Sequence, residues 1–193
     1  MPCVVLIGFM GAGKTTVGRA LARRLHWNFL DLDDLIEQRE HMTVAEIFAS
    51  SGEAAFRRIE SAALTTLLQD RKAGSDLVLA LGGGAFVQKQ NRDALISAGA
   101  ITVLLEAPVE ELRRRCQGER KVRPLALQDA RFNELFAARR ADYALALFTV
   151  QTMDKSVKQV TAEIEKLLKG GGLGNRKAEI EKRKQKAEIK NRR

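Results

Sequence analysis

Eight residues near the amino terminus, Gly8–Thr15, have the spacing G-x-x-x-x-G-K-[ST] of a phosphate-binding loop. They lie between the apolar run Val4–Ile7 and a helical pattern beginning at Lys14, which is the context such a loop requires. Backbone N–H groups of the loop and the helix N-terminus can cradle a β-phosphate. Lys14 is expected to reach the β- and γ-phosphate oxygens, and Thr15 to ligate Mg²⁺. The motif predicts a nucleoside triphosphate site and leaves the phosphoryl acceptor open.

Two carboxylates, Asp31 and Asp33, close a second short strand that begins at Asn28. Because side chains alternate along a strand, we expect both to point the same way, near the phosphate loop. One can hold Mg²⁺ through water, while the other orients an acceptor hydroxyl and takes its proton late in the transfer. Asp34 is a candidate cap for the next helix.

Arg57 and Arg58 are neighbours on a predicted helix whose buried side is marked by Phe56 and Ile59. The side chain of one of them must point toward a substrate cleft or toward the solvent. In the cleft it would offer a bidentate fork to a carboxylate. Residue type alone favours solvation on the helix surface.

Two further segments have the composition of a substrate site. Gly82–Gly84 follows a third strand and leaves no side chains there, so the backbone can approach a ligand closely. Arg123 precedes Pro124 and Leu125 in a charged segment, and we interpret residues of about 117–130 as a mobile lid. The lid would bring a cation over the transferring phosphate.

The elements that must position these residues alternate between apolar β-rich runs and longer helical patterns, which is typical of βαβ units. The predicted strands are Val4–Ile7, Asn28–Asp31, Leu77–Leu81, Ile101–Leu105 and Leu147–Val150. The predicted helices are Lys14–Leu25, two or three between Asp33 and Gln69 with breaks near His41 and Gly52, Gln88–Ala98, Val109–Cys116, Ala130–Ala141 and Lys155–Leu168. This order predicts an α/β fold, a three-layer α/β/α sandwich with a five-stranded parallel sheet. Ligands bind such sheets at the carboxyl ends of the strands.

The charge of the chain divides it into a body and a tail. The 193 residues include 33 Lys and Arg against 24 Asp and Glu, a formal net charge of +9. Two thirds of this excess lies in residues 170–193, which begin with the glycine-rich stretch Gly170–Gly174. We predict one globular domain over 1–169, then a flexible linker and a basic tail that is disordered or loosely helical. A tether to RNA, DNA or lipid, and an extension arising from cloning or a frameshift, stay open for the tail.

Several classes of protein are excluded. No apolar run approaches the ~20 residues of a membrane span, and the amino terminus lacks the features of a signal peptide. We therefore expect a soluble, cytoplasmic protein that does not bind membranes. Cys3 and Cys116 match no metal-ligand spacing. The nearly neutral body lacks an aromatic stacking platform, so nucleic acid is expected to bind only weakly, through the tail.

Taken in order, the motifs resemble those of the shikimate kinase family. That family shows a phosphate loop, D-x-D, F-R-x-x-E, a glycine triplet, a lid with R-P-L, and R-x-x-x-Y. The matching residues are Gly8–Thr15, Asp31 and Asp33, Phe56-Arg57 with Glu60, Gly82–Gly84, Arg123–Leu125, and Arg139 with Tyr143. The resemblance implies a P-loop kinase fold and ATP-dependent phosphorylation of the 3-hydroxyl of shikimate, on the route to chorismate and the aromatic amino acids.

The resemblance also implies roles for single residues. Asp33 would bind the shikimate hydroxyls and act as the catalytic carboxylate, and Arg57 and Arg139 would hold the shikimate carboxylate. The backbone of Gly82, Gly83 and Gly84 would lie against the ring. Thr15 and Asp31 would serve Mg²⁺, and Lys14 and Arg123 are the other catalytic residues. The ATP-binding set is Gly11, Ala12, Gly13, Lys14, Thr15, Thr16, Arg115 and Arg123.

The sequence departs from the family pattern on the acceptor side. Arg139 is followed by Arg140, and the spacing to Tyr143 favours Arg139 as the substrate arginine. Asp142 stands where the family often has an apolar residue, and Leu81 where a small hydroxyl residue is frequent. None of these changes removes a carboxylate contact.

On the nucleotide side, Cys116 stands where the family commonly places an arginine against adenine, so Arg115 takes that role. The expected partners are ATP and shikimate, with a monomeric enzyme. Two alternatives are kept. One is a P-loop kinase of another small acceptor, such as gluconate or a nucleoside monophosphate. The other is a nucleic-acid or membrane-surface protein that acts through its tail.

Overall fold

The computed structural model describes residues 2–70, 76–118 and 129–170. Within these ranges five parallel strands form one sheet with the spatial order β2-β3-β1-β4-β5. The strands are β1 (Cys3–Ile7), β2 (Asn28–Asp31), β3 (Leu77–Ala80), β4 (Ile101–Glu106) and β5 (Phe148–Gln151). The predicted α/β fold is confirmed, and no strand end lies more than one residue from its predicted position.

The central strands explain the uninterrupted apolar runs in the sequence. Every residue of β1 and of β3 is buried. Successive side chains of a strand point to opposite faces, so both faces of the sheet centre must be covered by helices. In the register of the sheet, Val5 of β1 lies beside Leu79 of β3 and Thr102 of β4.

Seven α-helices and one short 3-10 helix lie within the described ranges. They are α1 (Lys14–Leu25), α2 (Leu32–Glu40), α3 (Val44–Asp70), the 3-10 helix Ala85–Val87, α4 (Lys89–Ser97), α5 (Val109–Gly118), α6 (Asp129–Tyr143) and α7 (Val157–Gly170). Helix α1 packs against α7, and α3 packs against both α2 and α4. None of the helices in the described ranges is both long and apolar enough to cross a membrane.

The predicted breaks between residues 33 and 69 are present. Helix α2 is followed by its C-cap, His41, which has a left-handed φ of 54°. Gly52 kinks α3 and has a φ of 77°. The kink separates the first turns of α3 from the part that carries Phe56, Arg57 and Glu60.

Three segments that carry candidate site residues lie at one edge of the sheet. The phosphate loop follows β1, Asp31 ends β2, and Gly82–Gly84 follows β3. Since all strands are parallel, these segments share the carboxyl edge of the sheet. Lid residues 119–128, Arg123 among them, and tail residues 171–193 lie outside the described residues.

Candidate active site

The phosphate loop Gly8–Thr15 connects β1 to α1. Gly8, Gly11 and Gly13 have φ values of 146°, 77° and 85°, which favour glycine. A Cβ at Gly8 would also lie 2.6 Å from the carbonyl oxygen of Leu105. Gly13 is the N-cap of α1, and the first turn of that helix contains no acidic residue. The loop therefore offers backbone N–H groups and the positive end of a helix to an anion.

Lys14 adds a full positive charge to this loop. Its Nζ donates hydrogen bonds to the carbonyl oxygens of Gly8 and Phe9, both at 3.0 Å. The ring of Phe9 packs edge-on against Phe132 and Phe136 of α6, with centroids 5.0 and 5.4 Å away. The aromatic cluster thus holds the phosphate loop at Phe9, whose carbonyl oxygen is one of the two acceptors for Lys14.

Thr15 and Asp31 are directly bonded. Thr15 Oγ1 donates to Asp31 Oδ2 at 2.8 Å, and Asp31 Oδ1 accepts from the backbone N–H of Asp33 at 3.1 Å. Asp31 is therefore the N-cap of α2, which begins at Leu32. The prediction that Asp31 and Asp33 alternate along one strand is wrong, because this cap starts a helix before Asp33. Asp34, the predicted cap, is exposed and lies 3.8 Å from Arg19.

The Thr15–Asp31 pair has the chemistry of a magnesium site. A hydroxyl and a carboxylate are hard oxygen ligands, and Mg²⁺ in phosphate-transfer sites commonly takes one or two protein ligands besides phosphates and water. No group of three or more His, Cys, Asp or Glu side chains in the described ranges could hold a metal ion. The residues fit a magnesium ion that arrives with a nucleotide.

Asp33 lies beside the glycine triplet together with a second acid, Glu60. A Cβ placed on Gly82 would be 2.6 Å from Asp33 Oδ1 and 3.1 Å from Glu60 Oε1. Glycine is thus required for the two carboxylates to approach the end of β3. Glu60 is fully buried. Burial raises the pKa of Glu60 and nearby Asp33 raises it further, although the Arg57 charge opposes both effects.

Arg57 is anchored by two acids of its own helix. Its guanidinium donates to Glu60 Oε2 at 2.9 Å and to Glu53 Oε1 at 3.0 Å. A Cβ on Gly84 would collide with this guanidinium, so Arg57 lies against the backbone of the triplet. Arg58, in contrast, is exposed. Of the two arginines, Arg57 is the one that faces the glycine triplet.

Arg139 approaches the same triplet from α6. A Cβ on Gly83 would be 3.3 Å from Arg139 Nη1, and the guanidinium lies 5.8 Å from the ring centroid of Phe9. The hydroxyl of Tyr143 donates a hydrogen bond to the carbonyl oxygen of Gly83. Burial raises the pKa of Tyr143 to about 12, so it stays a neutral donor. Arg140, the other member of the doublet, is exposed.

Arg115 lines a cleft of about 540 Å³ on the other side of the phosphate loop. Its guanidinium donates to Glu111 Oε1 at 2.7 Å, and to the hydroxyl and carbonyl oxygens of Thr152, both at 3.0 Å. The other lining residues include Gly11, Ala12, Gly13, Thr16, Asp154 and Lys155. The cleft therefore adjoins the loop that would hold the phosphates, and it has room for a small ligand.

The comparison with protein-family models decides the family. The shikimate kinase model matches residues 10–169, most of the chain. The chain belongs to the shikimate kinase family. The predicted family is thereby confirmed, and so is the P-loop kinase fold, since solved shikimate kinases share it.

Curated shikimate kinases match most of the chain. That of Geobacter metallireducens is 43% identical over an alignment of 171 residues, which covers 86% of this chain and 92% of the relative. That of Caldanaerobacter subterraneus is 40% identical over 167 residues, 85% of this chain and 94% of the relative. Each of these relatives therefore matches more than four fifths of this chain.

Solved structures of shikimate kinases superpose on the chain. The enzyme of Acinetobacter baumannii, solved in complex with shikimate, has a TM-score of 0.80 at 36% identity and covers 90% of this chain and 96% of its own. The enzyme of Aquifex aeolicus has a TM-score of 0.77 at 34% identity, covering 89% and 99%. At these identities the match concerns sequence as well as fold.

Two residues of the candidate site, Glu60 and Thr152, were missed by sequence reasoning. The F-R-x-x-E motif alone gives Glu60 no role, yet it anchors Arg57 and accepts a hydrogen bond from Gln88 Nε2 at 2.8 Å. Thr152 orients Arg115 from the segment after β5. The one available signal for Thr152 was its place at the carboxyl edge of the sheet. The predicted lid residue Arg123 lies outside the described residues.

Proposed function

We propose that this protein is a shikimate kinase, which transfers the γ-phosphoryl group of ATP to the 3-hydroxyl of shikimate to give shikimate 3-phosphate and ADP. The observation that carries the proposal is the family match over residues 10–169. The geometry supports it, because a triphosphate site and a site with two arginines and two acids lie side by side at one edge of the sheet.

Arg57 and Arg139 recognise the shikimate carboxylate. They reach neighbouring glycines, Gly84 and Gly83, from two different helices. A carboxylate between them would receive guanidinium hydrogen bonds from both sides. The triplet lets the ring approach the backbone. Arg139, with Tyr143 four residues later on the same helix, is the substrate arginine of the doublet.

Asp33 binds the shikimate hydroxyls and takes the proton of the attacking 3-hydroxyl. Its carboxylate stands at Gly82, next to the two glycines that the arginine pair reaches. Phosphoryl transfer has a loose transition state, so catalysis rests mainly on positioning and charge stabilisation, and the proton is lost late. Asp33 therefore holds the hydroxyl in line with the γ-phosphate first and accepts its proton afterwards.

The phosphate loop holds the triphosphate. Backbone N–H groups of Gly11, Ala12 and Gly13 surround the β-phosphate, and Lys14 exchanges its carbonyl partners for β- and γ-phosphate oxygens. Thr15 and Asp31 would hold Mg²⁺, which would supply positive charge to neutralise the phosphate oxygens. Thr16 and Arg115 line the nucleoside side of the loop, and Arg123 of the lid covers the transferring phosphate.

We further propose that the enzyme is a monomer. We also place the protein in the cytoplasm, because its phosphoryl donor, ATP, is a metabolite of that compartment. Nucleic acid binds only weakly, through the basic tail. A sedimentation profile with a dominant dimer would contradict the monomer.

Substrate-dependent ADP release tests the proposed activity. The purified protein is assayed with Mg·ATP and, in parallel, shikimate, quinate and gluconate. We expect shikimate to stimulate ADP release far above the acceptor-free rate, with little stimulation by gluconate. Stimulation by gluconate alone, or no stimulation by shikimate at any reasonable concentration, would overturn the proposal.

A further inference from the structure

Arg92 of α4 connects two parts of the acceptor site that are far apart in sequence. Its Nη1 donates to the carbonyl oxygens of Phe86 and Val87, at 2.8 and 2.6 Å. The same nitrogen lies 3.0 Å from Asp142 Oδ1 of α6. Arg92 thus joins the 3-10 helix that follows the glycine triplet to the end of α6.

The end of α6 carries the residues that reach the triplet. Asp142 lies three residues after Arg139 and one before Tyr143, so Arg139 and Asp142 share a side of the helix. Tyr143 already bonds the carbonyl oxygen of Gly83. The Arg92–Asp142 pair forms a second link, between the end of α6 and the 3-10 helix that directly follows the triplet. Two links fix both the position and the rotation of α6 against the triplet.

The environment of the pair distinguishes it from an ordinary surface ion pair. The side chains of Arg92 and Asp142 are 16% and 29% exposed. On the same helix, Lys89 and Asp93 form a pair whose side chains are 59% and 57% exposed. Exposed pairs of this kind contribute little because water competes for both charges. The Arg92 pair is better shielded, and its guanidinium is also held by two backbone carbonyls.

We propose that Asp142, acting through Arg92, is a positioning residue for the acceptor carboxylate. It keeps Arg139 at Gly83 so that Arg139 and Arg57 face each other across the triplet. Neither Arg92 nor Asp142 is a fixed position of the motifs that carry the family resemblance, so the link is additional to those motifs. The proposal rests on the proposed function for the identity of the acceptor.

Steady-state kinetics of Asp142→Asn test the proposal. This variant keeps the shape of the side chain and removes its charge. We expect the KM for shikimate to rise about tenfold, while the KM for ATP and kcat stay within about twofold. Asp142→Glu, which retains a carboxylate, should recover most of the loss. The matched control is Asp93→Asn, which breaks the exposed pair on α4 and should change neither KM.

A double-mutant cycle shows whether Asp142 acts through Arg92. In an Arg92→Gln background, Asp142→Asn should have no further effect on the KM for shikimate. Unchanged kinetics in Asp142→Asn, or an equal rise in both KM values with a lowered Tm, would overturn the positioning role. So would additive effects of the two substitutions.

Hydrogen exchange separates this inference from the proposed function. Asp142→Asn should speed amide exchange in Ala85–Val87 and in the last turn of α6 together, whatever the acceptor is. Absence of shikimate turnover in the wild-type protein would contradict the proposed function alone. Unchanged exchange in both segments would contradict the link itself.

Discussion

At the scale of single residues, the acceptor site depends on charges that the fold has already oriented. Arg57 is bonded to Glu60 and Glu53 before any ligand arrives, and Arg139 lies over the ring of Phe9. Pre-oriented guanidinium groups lose less conformational entropy on binding a carboxylate. The residues that hold each arginine in place are therefore expected to contribute to carboxylate binding along with its charge.

Arg57→Lys should weaken shikimate binding while it retains the positive charge. A lysine cannot make the paired hydrogen bonds of a planar fork, so we expect the KM for shikimate to rise about tenfold or more, with the KM for ATP unchanged. Steady-state kinetics with each substrate varied in turn measure this. Arg58→Lys, at the exposed neighbouring position, is the control. Equal effects of the two substitutions would contradict the assignment of Arg57.

Glu60 is expected to give the protein a characteristic pH dependence of stability. Burial raises the pKa of Glu60 in the folded protein, so the folded state binds more protons than the unfolded state above the usual pKa of glutamate. The contribution of Glu60 to stability is then largest at low pH and is lost as pH rises through the raised pKa.

Urea unfolding at pH 5 and pH 8 tests this expectation. The free energy of unfolding of the wild-type protein relative to Glu60→Gln should fall between these two pH values. Glu53→Gln, which alters the 65% exposed partner of Arg57, is the control and should show no such trend. A difference that stays constant or grows with pH would refute the argument.

At the scale of elements, the sequence patterns located the strands and helices and missed the contacts between them. Helix α1 and strand β2 have the predicted bounds, Lys14–Leu25 and Asn28–Asp31, because a glycine or a polar residue stands at each end. Asp33 was misplaced because local alternation does not show that Asp31 already caps a helix. The links of Glu60 with Gln88, and of Arg92 with Asp142, join separate elements, so no local pattern contains them.

Asp31 has two roles at the junction of β2 and α2, and two substitutions separate them. Asparagine caps helices about as well as aspartate, so Asp31→Asn should keep its stability but need more Mg²⁺ for half-maximal activity. Asp31→Ala should also lose about 1 kcal/mol of stability, since the N–H of Asp33 loses its acceptor. Urea unfolding and a Mg²⁺ titration measure the two effects. Equal stability of the two variants would contradict the capping role.

At the scale of the whole molecule, the net charge and the chemistry lie in different places. Of the +9 net charge, two thirds belongs to residues 170–193. The cations of the proposed site belong to the body, where Lys14, Arg57 and Arg139 lie around one edge of the sheet. The positive charge that matters for function is therefore local, and the overall excess says little about the substrate.

Removal of residues 171–193 should separate these two kinds of charge. The truncated chain loses nine basic and three acidic residues. We expect kcat and both KM values to stay within about twofold, while any salt-dependent binding to RNA or anionic vesicles disappears. Kinetics and binding at several salt concentrations measure this. A large loss of shikimate turnover would show that the tail contributes to catalysis.

The most direct test of the central claim is the turnover of Asp33→Asn with saturating shikimate and Mg·ATP. The account predicts a kcat lower by about 10²- to 10⁴-fold, because the variant cannot accept the hydroxyl proton, with ATP affinity unchanged. Asp34→Asn, at the exposed neighbouring position, should turn over normally. A kcat of Asp33→Asn near that of the wild-type protein would contradict the account.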